Sequence, residues 1–272
     1  MAEAGPACSE SFAWTARCKS IADFRSAAFT APWEAGQANS AALAKMAKLV
    51  TQADETPAPA WVPPQPSRQR PLPQSRLPLL PPQEPNFRGK KTLVLDLDET
   101  LVHSSFTPVT CDLVLSVFLG TEEHKVYVRK RPGVDEFLKA VAKLYEVAIF
   151  TASTSLYANA LLDVLDQRGW IQHRLFREAC TRYKEGYVKD LSLLGRNLND
   201  VIIVDNMPVC YALQPENAIP IRTWKHDPED TELMDLLPIL LSLAHVEEIP
   251  RMLKEILAYE ASEDDADEAG AG

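Results

Sequence analysis

The segment from Lys90 to Phe106, KKTLVLDLDETLVHSSF, sets three acidic side chains, Asp96, Asp98 and Glu99, directly after an apolar run. Leu93, Val94 and Leu95 read as a strand buried on both faces, which would ordinarily end in a neutral turn. Two other apolar runs end the same way: YEVAIF on Thr151, and VIIV on Asp205 and Asn206. In an open parallel sheet, ligands bind beyond the carboxyl ends of the strands, so three distant segments would bring carboxylates, an amide and a hydroxyl to one edge. Like charges that close raise one another's pKa unless a cation lies between them, and hard oxygen donors suit magnesium. Lys189, in YVKDL, adds a basic group. In such a set a metal-bound aspartate can attack phosphorus, a neighbouring aspartic acid can protonate the leaving oxygen, and a lysine with a hydroxyl can hold the phosphoryl oxygens. These are the parts of phosphoryl transfer through an aspartyl-phosphate. The competing reading of DLDET, an acidic turn after a strand, weakens because the threonine, lysine and Asp-Asn segments follow it in order.

The elements that must position these residues are legible as apolar runs alternating with helical patterns. TLVLDL, DLVLSVFL, KVYV, YEVAIF, VIIVD and AIPI read as strands; helical patterns begin near Val134, Ser155 and Thr231, the last with Leu233, Leu236, Leu237, Leu240 and Leu241 as a stripe. The alternation predicts an α/β fold, a parallel sheet with helices on both faces. DLVLSVFL and KVYV, separated by GTEEH, predict a small β-hairpin inserted after the first strand.

The order DLDETLVHSSF, FTAS, YVKDL, VDN resembles the haloacid-dehalogenase superfamily, and within it the small phosphatases that act on the C-terminal domain of RNA polymerase II. The likeness extends through KRPGVDEFL, RLFREAC and PENAIPI to DTELMDLLP. It implies a Rossmannoid sheet of the haloacid-dehalogenase type. It also implies Asp96 as nucleophile and Asp98 as general acid and base, with the Asp98 backbone carbonyl on the metal. Asp96 and Asn206 would complete the protein's share of Mg2+ ligation and Asp205 would support it, while Thr151 and Lys189 bind the phosphoryl group. Arg177 and Tyr157 would contact the peptide. Phe106, Val117, Leu119, Val126 and Tyr157 would form an apolar pocket gripping a proline near the phosphoserine, although such a hairpin could equally bury its own apolar face. His103 is expected in packing rather than catalysis, Glu99 is open between a catalytic neighbour and a turn cap, and Arg129, Lys130 and Arg131 read as a solvated strand end.

Positions 101–150 and 152–188 must already hold the hairpin, helices and a strand, which predicts an open site without a large cap and a macromolecular substrate. The resemblance therefore implies a magnesium-dependent protein serine/threonine phosphatase acting on phosphoserine of the RNA polymerase II C-terminal domain or a similar Ser-Pro phosphoprotein. Two alternatives stand beside it. One is a nuclear-envelope-type phosphatase of a lipid-synthesis regulator, a branch that typically carries a membrane segment. The other is a non-catalytic phosphopeptide-binding scaffold on the same fold, against which the intact Asp96, Asp98, Thr151, Lys189 and Asn206 weigh.

Composition bounds the rest. The net charge of -10 argues against direct binding to nucleic acid. Five cysteines, odd in number and without a CxxC pair, indicate neither a disulfide framework nor a zinc site, and fit a reducing compartment. No apolar run reaches the length of a membrane span, and Glu3, Glu10 and Asp23 do not suit a secretory or transit peptide, so a nuclear or cytoplasmic protein is expected. Eleven prolines between Pro57 and Pro85 make residues 1–88 a disordered, proline-rich segment whose PxxP spacings suit a spacer or an unknown partner. Within it, Ser40 could cap a short helix carrying Leu43, Met46, Ala47 and Val50. The phosphatase domain is expected over 89–259, and 260–272, with six acidic groups and no basic one, is expected as a disordered tail.

Overall fold

The computed structural model describes residues 77–256, apart from 120, 121 and 185. The helix expected after Ser40, the PxxP spacings before residue 77 and the acidic tail lie outside the described residues. The centre is a parallel five-stranded sheet of order β10-β9-β1-β5-β6, built from β1 (Thr92–Leu95), β5 (Glu146–Phe150), β6 (His173–Leu175), β9 (Val201–Asp205) and β10 (Ala218–Pro220). Every residue of β1, β5 and β9 is buried, as strands covered on both faces require. Leu95 is level with Ile149 on one side and Val204 on the other, so the next residue, Asp96, emerges beside Phe150 and Asp205.

Side chains alternate between two cores. Leu93, Leu95, Val147, Ile149, Ile202 and Val204 meet the α-helices α1 (Val134–Val141), α2 (Ser155–Leu165) and α3 (Glu232–Leu243), together with helical residues at 249–256. Val94, Phe150, Val201 and Ile203 point the other way, where single 3₁₀ turns at Leu191–Leu194 and Pro208–Tyr211 cover them together with Leu80. Between β1 and β5 the chain forms an antiparallel sheet of order β2-β4-β3, from β2 (Val102–Ser105), β3 (Leu113–Leu119) and β4 (Glu122–Lys130). The expected hairpin is β3–β4, and β2 extends it. A second, two-stranded hairpin, β7 (Thr181–Tyr183) with β8 (Gly186–Val188), leads into Lys189. No separate cap domain stands among the described residues.

Packing runs past the boundary expected at 88/89. Leu79 and Leu80 donate backbone hydrogen bonds to the carbonyls of Leu193 and Leu194, and Leu80 is buried in the second core. Gly195 permits this approach: it lies at φ +73°, and a Cβ there would come within 2.5 Å of Pro78. Gln83 then reaches Glu146, a carboxylate 1% exposed at the amino edge of the sheet. Glu146 also accepts from Thr92 and from both Nε and Nη2 of Arg196, and pairs with His173. Burial alone would raise its pKa, but these donors overcome it and hold the carboxyl well below the usual range.

Because the folded-state pKa is depressed, the stability Glu146 contributes is present above its unfolded value of 4.5 and fades as pH falls below it. Glu146→Ala leaves Arg196 buried without its anion and is expected to cost about 3 kcal/mol at neutral pH. Urea unfolding at pH 7 and pH 4 checks this, with the deficit narrowing at the lower pH. A deficit independent of pH would mean that Glu146 acts through packing alone.

Candidate active site

Asp96 leaves β1 with its backbone N–H donated to the Val204 carbonyl, so the nucleophile candidate is fixed before its side chain is considered. The following turn is tight. Leu101 and Val102 both donate to the Leu97 carbonyl, Glu99 N–H donates to Val102, and Glu99 occupies the left-handed region at φ 59°, a strained conformation for a residue with a side chain. Two distant segments pin the turn. Trp224 N–H donates to the Glu99 carbonyl, and Arg131 Nη1 donates to the Thr100 carbonyl at 3.0 Å. Arg131 is itself held by Asp230 through a two-pronged bond of 2.7 and 2.9 Å. Arg131 is therefore a buried clamp and not part of a solvated strand end, because its charge is matched inside the fold. Glu99 pairs with His103, Nδ1 to Oε1 at 3.0 Å, which occupies both outside the catalytic contacts.

The cation compensating the carboxylates in the described structure is Lys189. Its buried ammonium lies 2.6 Å from Asp96 Oδ1 and 2.5 Å from Asp205 Oδ2. Burial disfavours its charge, but the two carboxylates outweigh this and raise its pKa, so it stays protonated. Asp205 spends its other oxygen on the Met207 N–H at 2.8 Å, so both oxygens are engaged and its contribution is to hold Lys189. Asp96 Oδ2 accepts from the Thr100 hydroxyl at 3.0 Å, and the same hydroxyl lies 3.4 Å from Asn206 Oδ1.

That arrangement fits a hard divalent cation. Asn206 donates its amide N–H to Thr223 Oγ1 at 2.9 Å, which turns the amide oxygen toward Asp96. Among the described residues no donor occupies the Asp98 carbonyl oxygen, and no trio of His, Cys, Asp or Glu side chains forms a metal cluster. The available donors are one carboxylate, one amide oxygen and one backbone carbonyl, a hard-oxygen set suited to magnesium with several waters retained.

Asp98 occupies different surroundings. Its Oδ1 accepts from the Tyr157 hydroxyl at 2.7 Å, and its Oδ2 accepts from Ser153 Oγ at 2.7 Å and lies 3.5 Å from Thr151 Oγ1. Burial raises the Asp98 pKa, with Asp96 and Glu99 adding to it and the Ser153 and Tyr157 hydrogen bonds opposing. A buried acid whose pKa is raised, beside a second carboxylate held against an ammonium, is an arrangement for separate acid and nucleophile roles. Thr151, Ser153 and Tyr157 arrive together because β5 ends at Phe150 and α2 begins at Ser155.

The structure thus gathers Asp96, Asp98, Thr151, Lys189, Asp205 and Asn206 at one sheet edge, with Tyr157 and Arg177 beside them. Arg177 donates from Nε to the Ala152 carbonyl at 2.5 Å. It does not assemble the apolar pocket: Val117 and Val126 are buried in the main core, where the strand pleat puts them with Leu115 and Val128, whereas Phe106 is 67% exposed. Leu119 ends β3. Sequence reasoning gave no role to Thr100 or Ser153, although each lies inside a quoted motif, DLDET and FTAS, and it missed the Arg131–Asp230 clamp, whose partners are far apart in sequence.

Tyr157 touches the acid itself and pairs with Ser104 at 2.5 Å. Tyr157→Phe is therefore expected to slow turnover about three- to tenfold on a serine phosphate, whose poor leaving group needs the proton, and less on an aryl phosphate. Equal losses on both substrates would show that Tyr157 acts on binding alone.

Residues 91–250 match the family described as NLI interacting factor-like phosphatase. Phosphatase PSR1 of Saccharomyces cerevisiae is 55% identical over 167 residues, covering 61% of this chain and 39% of that protein. CTD small phosphatase-like protein 1 of Caenorhabditis elegans is 57% identical over 164 residues, covering 60% and 33%. The human CTD small phosphatase-like protein is 49% identical over 169 residues, covering 62% and 61%. The chain spans between a third and three fifths of the length of these relatives.

Proposed function

This chain belongs to the NLI interacting factor-like phosphatase family, and from that premise we propose that it is a magnesium-dependent protein serine/threonine phosphatase working through an aspartyl-phosphate on Asp96. The observation that carries the reading is the pairing of two carboxylates in opposed settings. Asp96 lies against the Lys189 ammonium, and Asp98, two residues on, is buried under Ser153 and Tyr157 with its pKa raised. The C. elegans and human relatives are named CTD small phosphatase-like proteins, which supports a phosphoprotein substrate. Phosphoserine of the RNA polymerase II C-terminal domain, or a similar Ser-Pro phosphoprotein, as that substrate, and a nuclear or cytoplasmic location, belong to the same proposal.

In the first step an Asp96 oxygen forms a bond to phosphorus as the bond from phosphorus to the serine oxygen breaks, and Asp98 gives its proton to that oxygen. Lys189 and Thr151 hold the phosphoryl oxygens while charge moves between them. In the second step water attacks the phosphorus of the aspartyl-phosphate, Asp98 takes a proton from it, and Asp96 is released. Magnesium, held by Asp96, Asn206 and the Asp98 carbonyl, would offset the negative charge of the phosphoryl group. The absence of a cap among the described residues leaves this edge open to a chain segment rather than enclosing a metabolite.

The test is phosphate release from phosphoserine-proline peptides with and without EDTA. The reading expects turnover that EDTA abolishes and added magnesium restores. Undiminished release in excess EDTA, or none from any phosphopeptide under magnesium, would overturn it.

A further inference from the structure

Beside the candidate site, the β7–β8 hairpin carries Arg182 and Lys184, with Arg177 approaching from the preceding loop. Arg182 is the direct cross-strand partner of Tyr187, and Arg177 approaches the same ring from the catalytic loop; both guanidinium groups lie 5.5 Å from the ring centre. At the turn, Lys184 lies 5.5 Å from the Tyr183 ring. Arg182 and Lys184 are exposed, and neither pairs with a carboxylate among the described residues. Lys91, Arg131, Arg174 and Arg196, by comparison, are each tied to an acidic partner, and what sets Arg182 and Lys184 apart from other exposed cations is their stacking on tyrosine rings beside the site. Glu178, the carboxylate nearest in sequence to Arg177, is spent on the Ser155 N–H and hydroxyl. On a chain of net charge -10, cations gathered beside the candidate site give it a locally positive rim.

The hairpin is also aimed. Tyr187 stands two residues before Lys189 on one extended segment, about 7 Å along the chain at 3.3 Å per residue, and Arg177 is tethered to Ala152, next to Thr151. An extended peptide with its phosphoserine between Thr151 and Lys189 would therefore pass the hairpin within about two to four residues. We propose that Arg182 and Lys184, steadied by Tyr187 and Tyr183, take a second anionic side chain of the same substrate peptide, a phosphate or a carboxylate about two to four residues from the scissile phosphoserine. Guanidinium groups bind such anions through paired hydrogen bonds, and stacking on an aromatic ring limits the rotamer entropy lost on binding. The proposal rests on the phosphoprotein phosphatase reading.

The experiment uses the full chain and one peptide series: singly phosphorylated, with a second phosphoserine two, three or four residues to either side, and with Glu at those positions. The readout is the ratio of kcat/KM for the doubly charged over the singly charged peptide, which cancels any general effect of a substitution. A ratio of about five to ten is expected for a second phosphate on one side, less for Glu, falling with added salt. In R182A/K184A it should fall to about one, and R182E should invert it. A parent ratio of one at every position, or one that R182A/K184A leaves unchanged, overturns the proposal.

Binding of the labelled peptides to the full chain carrying Asp96→Asn separates the two readings. The same preference in binding without turnover by the parent would sink the phosphatase reading and leave the subsite standing. Removal of residues 260–272 supplies the last arm. If the parent shows no preference until those residues are removed, the hairpin's occupant is the chain's own acidic tail and the proposal is overturned. Loss in R182A/K184A of binding to anionic vesicles, without any peptide preference in the parent, overturns it in favour of a membrane surface.

Discussion

Asp96→Asn is expected to lower turnover by at least about four orders of magnitude while leaving the fold intact. The amide keeps the shape of the carboxylate: its one oxygen can still accept from Lys189, 2.6 Å from Oδ1 in the parent, and its NH2 can donate to the Thr100 hydroxyl, which lies 3.0 Å from the other oxygen. What it loses is the negative charge and the nucleophilicity needed to attack phosphorus. The fold should tolerate the change because Lys189 faces two carboxylates in the parent and would face one, Asp205, in the variant, so the buried group moves from a formal charge of -1 to neutral. Turnover of an aryl phosphate and the thermal midpoint are the measurements. Residual activity within about tenfold of the parent would remove Asp96 from the chemistry.

Lys189→Ala carries the second large effect, on activity and stability together. Loss of the one cationic side chain that touches Asp96 among the described residues should cost about a thousandfold in kcat, comparable to removing a principal stabilising donor from a transition state. It also leaves two buried carboxylates facing each other, at a cost of about 3 to 5 kcal/mol. The pH dependence has a definite sign. Burial already raises the Asp205 pKa against the pull of Lys189 and the Met207 N–H, and without the ammonium it would rise further. A carboxyl whose folded-state pKa lies above its unfolded value contributes most at pH below the unfolded value, and that contribution is lost as pH rises through the folded pKa. The variant's deficit should therefore be largest near neutral pH and shrink toward pH 5, as read from unfolding midpoints. A deficit that grows on acidification would contradict the assignment of Lys189 as the partner of Asp205.

The edge that gathers the candidate residues was legible in the sequence because those residues end strands. Parallel pairing with β1 in the centre brings Asp96, Thr151 and Asp205 level from three segments, and short apolar runs announce such strands plainly. The starts of α1 and α2 at Val134 and Ser155 were legible for a similar reason, since their apolar spacing changes from strand to helix period there. Contacts that depend on side-chain direction were not legible. Arg131 sits in a basic run that looks solvated, and only Asp230, far away in sequence, reveals it as a clamp. Tyr157 lies six residues after Thr151, in the first turn of α2, but a sequence does not say that its hydroxyl meets Asp98 rather than a bound peptide. Val117 and Val126 could face either side of the hairpin, and the core claimed them because α2 packs against β3. The segment at Leu79–Gln83 was hidden by its prolines, which argue for an extended chain but do not say whether that chain docks.

The most direct measurement of the central claim is rapid acid quench of the full chain during turnover of a phosphoserine peptide, followed by mass spectrometry of the peptide that contains Asp96. The account predicts a phosphoryl adduct on Asp96 that forms before free phosphate appears, decays as phosphate is released, and is absent from the Asp96→Asn chain. Phosphate release with no adduct on Asp96 under conditions that preserve an acyl phosphate, or an adduct on another side chain, would contradict it.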